Sequence, residues 1–365
     1  MRNGMMNERM RRFVDHLNSA IVAMLILLPG QIFVVEPVFA DSLQVDLSTP
    51  DMRAASEKTK NPVAGGVTHT HSYLSATVER LSQKIDSFFG EDRIYEEATE
   101  TYLQARGSVI FGEAGEVDFN GSFRAKIDLP QLEEKVNLVF ESQDDRAEPE
   151  DFRRITVGNN LLDELEDSDL SAALQLMITK KRRWHLSIRP GLKFSEPIEF
   201  FTRLRIRCTQ PFAAAWLSRG TAEVGYYTGR GWENEWLFEL ERDIGEENFF
   251  RSTSTLLWRE ESPGNQLLGQ TFMLTHVVDP LQSIAFEIGA SAETRPSLRE
   301  LSRFGSIRYR RNVNWSWLFL ELKPQLIFAR ENNFDADPAV VLSLEVLLGG
   351  KYLDQQAALR SRPGR

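Results

Sequence analysis

An all-β fold is what the sequence predicts: an antiparallel up-and-down transmembrane β-barrel, with fourteen strands as the main count and twelve as the alternative. Three observations carry this. From residue 101 apolar and polar residues alternate with a period of two, the runs are long, and turn signals separate them at regular intervals.

The clearest run is Glu116 to Leu129. Val117, Phe119, Gly121, Phe123, Ala125, Ile127 and Leu129 share one face, and Glu116, Asp118, Asn120, Ser122, Arg124, Lys126 and Asp128 the other. The same pattern recurs in segments starting near 102, 116, 134, 170, 183, 199, 216, 233, 249, 267, 282, 300, 315 and 338. Most of them exceed the ~5–6 residues of an ordinary strand and match the ~9–11 that a tilted strand needs to cross a bilayer. Gly112-Glu113-Ala114-Gly115, Ser262-Pro263-Gly264-Asn265, Asp279-Pro280 and Arg295-Pro296 supply turns. Two places are soft. Alternation blurs around Met273, and the break near Pro211 is shallow.

Periodicity alone does not say which face meets what. A soluble barrel buries its apolar face, whereas a membrane barrel turns it to lipid and lines a wet interior with polar groups. Strand length favours the second sense, and so does loop asymmetry. Connections after even segments are short, and the longest connection, about residues 143–168, follows the third segment. The seven tryptophans fit as well. Trp184, Trp216, Trp315 and Trp317 lie near one set of strand ends; Trp232, Trp236 and Trp258 lie near the other. Trp184, Trp216, Trp236 and Trp258 are therefore read as interface girdle residues. Trp315 and Trp317 carry the parity of the inner face, which calls for a bulge or an inward ring.

The flanks are of another kind. Residues 1–40 read as a signal peptide: Arg2, Arg9, Arg11 and Arg12, an apolar run from Ala20 to Leu28, and a cut after Ala40. Residues 41–100 read as a periplasmic linker carrying one amphipathic helix. Leu74, Val78, Leu81, Ile85 and Phe88 make its stripe, spaced three and four apart. That stripe suits a plug, a helix packed under a larger domain, or a surface for a periplasmic or envelope protein partner. His69 and His71 are a weak metal signal, and no metal or cofactor is assigned. Residues 353–365 form a polar tail.

Composition narrows function. The chain has 365 residues with 43 Lys+Arg against 53 Asp+Glu, a net charge of −10, which argues against nucleic acid as a partner. A single cysteine, Cys208, excludes an internal disulfide framework. No stretch after residue 41 provides the ~20 apolar residues of a membrane-crossing helix. Hydrolase and nucleotide-binding motifs such as Gly-x-Ser-x-Gly and Gly-x-Gly-x-x-Gly are missing from the sequence, so no catalytic residue is assigned. The outside alternative is a lipid hydrolase built on His276.

Residues 101–352 resemble the Gram-negative outer-membrane β-barrels in alternation, aromatic girdles and even strand count. The resemblance implies the outer membrane as location and its lipid as partner. It departs at the C-terminus, where such barrels end on an aromatic residue: here Tyr352 is followed by the tail.

The inward face then carries the chemistry. A basic row comprises Arg183, Arg189, Lys193, Arg203, Arg205 and Arg207, and an acidic row Glu233, Glu235, Glu239, Glu241 and Asp243. Cations at the midplane of the lipid face cost about 2–4 kcal/mol, so these rows belong inside. Opposite rows across a pore would select small polar or charged solutes, the function of a porin or channel. Paired across the interior, the same residues would close it, leaving a structural or assembly partner of another envelope component.

Overall fold

The computed structural model describes residues 101–129, 136–142, 170–180, 183–212, 216–245, 247–313, 315 and 317–349. The signal peptide, the linker with its amphipathic stripe, the acidic connection at 143–168, Tyr352 and the polar tail lie outside these residues.

Alternation of the kind seen in the sequence produces fourteen strands. They are β1 (Tyr102–Phe111), β2 (Val117–Asp128), β3 (Val136–Glu141), β4 (Leu170–Lys180), β5 (Trp184–Phe194), β6 (Glu199–Phe212) and β7 (Trp216–Tyr227). They continue as β8 (Gly231–Ile244), β9 (Asn248–Arg259), β10 (Gln266–Asp279), β11 (Gln282–Glu293), β12 (Arg299–Asn312), β13 (Leu318–Ala329) and β14 (Ala336–Gly349). Each pairs antiparallel with its sequence neighbour. The first and last close the ring, from Tyr102 opposite Gly349 to Phe111 opposite Val340. The count is fourteen, not twelve.

Both soft places in the alternation resolve physically. The β10 pattern blurs because Met273, on the inward face, is itself apolar and 4% exposed, next to outward Phe272 and Leu274. Around Pro211 the ladder simply continues: Pro211 pairs with Leu217 and Phe212 with Trp216. The parity conflict at Trp315 and Trp317 arises because β13 starts at Leu318, later than the sequence suggests. Both residues belong to the preceding turn, where their rings stack with centroids 5.1 Å apart.

The barrel is inside out relative to a soluble protein. Outward residues form a nearly continuous apolar skin, with Phe119 70%, Ile288 61% and Phe200 60% exposed. Inward positions hold Arg310, Lys193, Glu241 and Thr275 with no exposure. An apolar surface extending around a whole barrel far exceeds the few hundred Å² that a soluble monomer tolerates, so this skin faces lipid.

We call the rim bearing Tyr102 and Gly349 the lower rim. At the opposite, upper rim the turns use specific backbone devices. Gly231 opens β8 with φ +85°, a left-handed conformation that L side chains rarely adopt. Beside it the Glu260 carboxylate accepts the Trp232 amide at 3.0 Å.

The orientation gives a direct test. Leu342, outward and mid-strand in β14, faces the skin. Replacing it with Arg is expected to cost about 2–4 kcal/mol in unfolding from lipid vesicles. Arg at inward Ala339 of the same strand should cost less than half as much. Equal costs would contradict the orientation.

Candidate functional site

Inward side chains of a barrel form vertical files, and ladder register decides which files touch. Register sets Arg189 of β5 opposite Arg203 of β6, Ser187 opposite Arg205 and His185 opposite Arg207. Like charges face to face repel. Acids from β3 and β7 offset this. Glu141 of β3 lies 3.6 Å from Arg189 and 3.3 Å from Arg124, and Glu223 of β7 lies 3.6 Å from Arg203 and 3.9 Å from Arg205. Arg207 donates to His185 Nδ1 at 3.3 Å. Lys193, near the upper end of β5, is fully buried. Arg183 sits apart from this file, in the exposed bend just before β5 at the lower rim.

The acidic file runs down β8. Glu241 accepts from Arg219 of β7 and Arg251 of β9, each at 3.0 Å. Glu239 lies 3.6 Å from Arg219 and 3.8 Å from Arg251. Nearer the upper rim, Arg259 donates to Glu233 at 3.0 Å. Glu235 and Asp243 are half-buried on the same face. The acidic and basic files are therefore not opposed across the interior. Only β7 separates them, and Arg219 and Arg251 compensate the acids from both sides.

Sequence reading overlooked Arg219, Arg251 and Arg259. Their signal was available: each has the same odd parity as the acids of β8 in the adjacent segment. A second network was overlooked as well, on β12, β13, β14 and β1. Arg310, with no exposure, donates to Glu345 at 2.7 and 3.2 Å and to Glu321 at 3.3 Å, while Arg106 donates to Glu345 at 2.8 Å. Arg308 donates to Glu287 at 2.7 Å. Among the described residues, each of these ion pairs joins adjacent or next-adjacent strands.

Inward rings hug the wall. Phe201 lies over Gly191, its cross-strand neighbour, and Phe304 lies over Gly289. A Cβ at either glycine would collide with the ring, so glycine there lets an aromatic side chain lie flat instead of projecting into the interior.

On the outer face, Trp184 is exposed at the lower end of β5. Trp216 packs edge-on against Phe250 with centroids 6.1 Å apart, and Arg242 lies over its ring. At the upper end Trp232 packs with Tyr226 at 5.1 Å, Trp258 occupies the upper end of β9, and Trp236 lies one repeat deeper, between Ala222 and Leu256. His276 Nδ1 is 3.0 Å from Asn248 Oδ1 at the lower end of the outer face.

No protein-family model matches this chain, and no curated protein does. Solved structures similar to it include the NanC porin, with 8% identity, TM-score 0.34 and coverage of 67% of this chain and 98% of that one. Another is OmpT, an outer membrane protein of Vibrio cholerae (9%, 0.40, 68% and 97%). A third is the outer membrane channel DcaP of Acinetobacter baumannii (6%, 0.40, 68% and 96%). Likeness at this level says nothing about what this chain carries.

The Arg310 network yields a prediction. Glu345→Ala leaves the buried Arg310 and the partly exposed Arg106 to share Glu321, and breaking the buried Arg310 pair in this way costs about 3–5 kcal/mol. Glu233→Ala, at a more accessible pair, should cost about 1 kcal/mol or less. The double variant Arg310→Met/Glu345→Leu should recover most of the loss in urea unfolding. A loss equal to that of Glu345→Ala would show the pairing to be incidental.

Proposed function

We propose that the chain is a channel of the Gram-negative outer membrane, passing small polar or charged solutes. The observation that carries this reading is the direction of the ion pairs. Among the described residues, the pairs given above run around the wall between adjacent or next-adjacent strands, so they line the interior instead of bridging it. Strand number supports it: eight strands leave an interior that side chains just fill, and larger rings leave room for water. Flat rings over Gly191 and Gly289 have the same consequence. The β5–β6 file adds a selectivity element, because Arg189, Arg203, Arg205 and Arg207 concentrate positive potential on one arc.

The test is single-channel recording of the purified chain in planar bilayers, with correct folding checked by gel mobility before and after heating. Ohmic steps are expected. With a KCl gradient, Arg203→Glu/Arg205→Glu should move the reversal potential toward cations by several-fold in permeability ratio. A folded barrel with no steps, in the parent chain and in the variants below alike, would overturn the reading in favour of a closed structural or assembly partner.

A further inference from the structure

The described interior holds three buried apolar clusters, of which the one at its lower end is the largest. Tyr102, Phe249, Met273, Ala285, Phe319 and Leu347 form an apolar cluster on the inward face. By register they lie in the lower half, from Tyr102 at the first position of β1 to Leu347 near the end of β14 and Phe249 near the start of β9. Phe249, Ala285, Phe319 and Leu347 have no exposure at all. Arg251 and Arg310 shield one side of two rings, with guanidinium carbons 5.2 Å from the Phe249 centroid and 4.4 Å from that of Phe319. All six members come from β1, β9, β10, β11, β13 and β14, so the cluster coats one arc of wall. The arc from β2 to β8 contributes none of it. An arc of wall facing a wide interior stays dry only if something lies against it.

We propose that residues 73–89 of this chain seat against this cluster inside the lower end of the barrel, with Leu74, Val78, Leu81, Ile85 and Phe88 facing it. Three facts single out this segment. Its apolar residues recur at helical spacing, so one helix face offers the matching surface. Chain connectivity delivers it to the right rim: Phe88 precedes Tyr102, itself a cluster member, and the intervening residues reach up to ~45 Å when extended. The other stretch attached to the lower rim, 350–365, is polar and offers only scattered apolar residues, among them Leu353 and Leu359. Glu79, Arg80, Gln83 and Lys84 lie between the stripe positions and would turn to the charged part of the lumen. This inference concerns the interior of the barrel and does not require it to conduct.

The test uses the full chain with Cys208→Ser. Leu81→Cys is paired in turn with Phe319→Cys, with Leu347→Cys as a second inward site, and with outward Leu320→Cys as control. Copper–phenanthroline oxidation should give a monomeric disulfide with position 319 or 347 and at least ten-fold less with 320, read by mass spectrometry of the linked peptides. No link to either inward site, or links equal to those at 320, would overturn the proposal. So would a link from Leu359→Cys to Phe319→Cys in place of the one from residue 81.

Recording then separates this proposal from the channel reading. Leu81→Glu/Ile85→Glu should raise the current per barrel several-fold above that of the parent chain. An inward-specific link with no current from any variant keeps the docking and removes the channel.

Discussion

Backbone amides and carbonyls in hydrocarbon find no water to satisfy them, and this requirement governs the whole architecture. An open sheet would leave two edges of unpaired groups facing lipid. The pairing of β1 with β14, ten residues in register, removes both. Once the ring is closed, every strand has one lipid side and one lumen side, and the period of two in the sequence becomes a division between solvents.

That division accounts for the placement of charge. With the outer face given to apolar residues, ionic groups have only the interior, and there they must be compensated at short range. The networks around Glu241 and Glu345 do this by giving each acid two arginines from other strands: Arg219 and Arg251 flank Glu241 from β7 and β9, and Arg106 and Arg310 reach Glu345 from β1 and β12. Lateral pairing uses the ladder itself as a ruler: neighbouring files are held at a fixed spacing that suits an Arg–Glu contact. Pairing across the interior would need long side chains to meet over a gap that the ring does not fix.

Among the described residues, the lower apolar arc is the largest exception to this order. Where most of the inward face is ionic or hydroxylic, Phe249, Phe319 and Leu347 make it greasy and dry. It also lies where the chain enters the barrel. The inward wall thus joins two surfaces of opposite character in one ring, ionic along most of its length and apolar at its entry end.

Strand number, strand starts within about three residues and the facing of each strand were all legible in the sequence, because a period of two is a local property that hydrocarbon makes strict. Arg189 and Glu241 could be assigned to one face for the same reason. Pairing was not legible. That Arg219 and Arg251 flank Glu241, that Arg310 bridges Glu321 and Glu345, and that the charged files stand almost side by side all depend on register and ring closure. Those relate residues far apart in the chain, such as Arg106 and Glu345. Met273 shows the same limit from the other side: its apolar side chain spoiled the alternation because the cluster it belongs to, with Phe249 and Phe319, is assembled from other strands. Local pattern says which way a side chain points, and only closure of the ladder says what it meets.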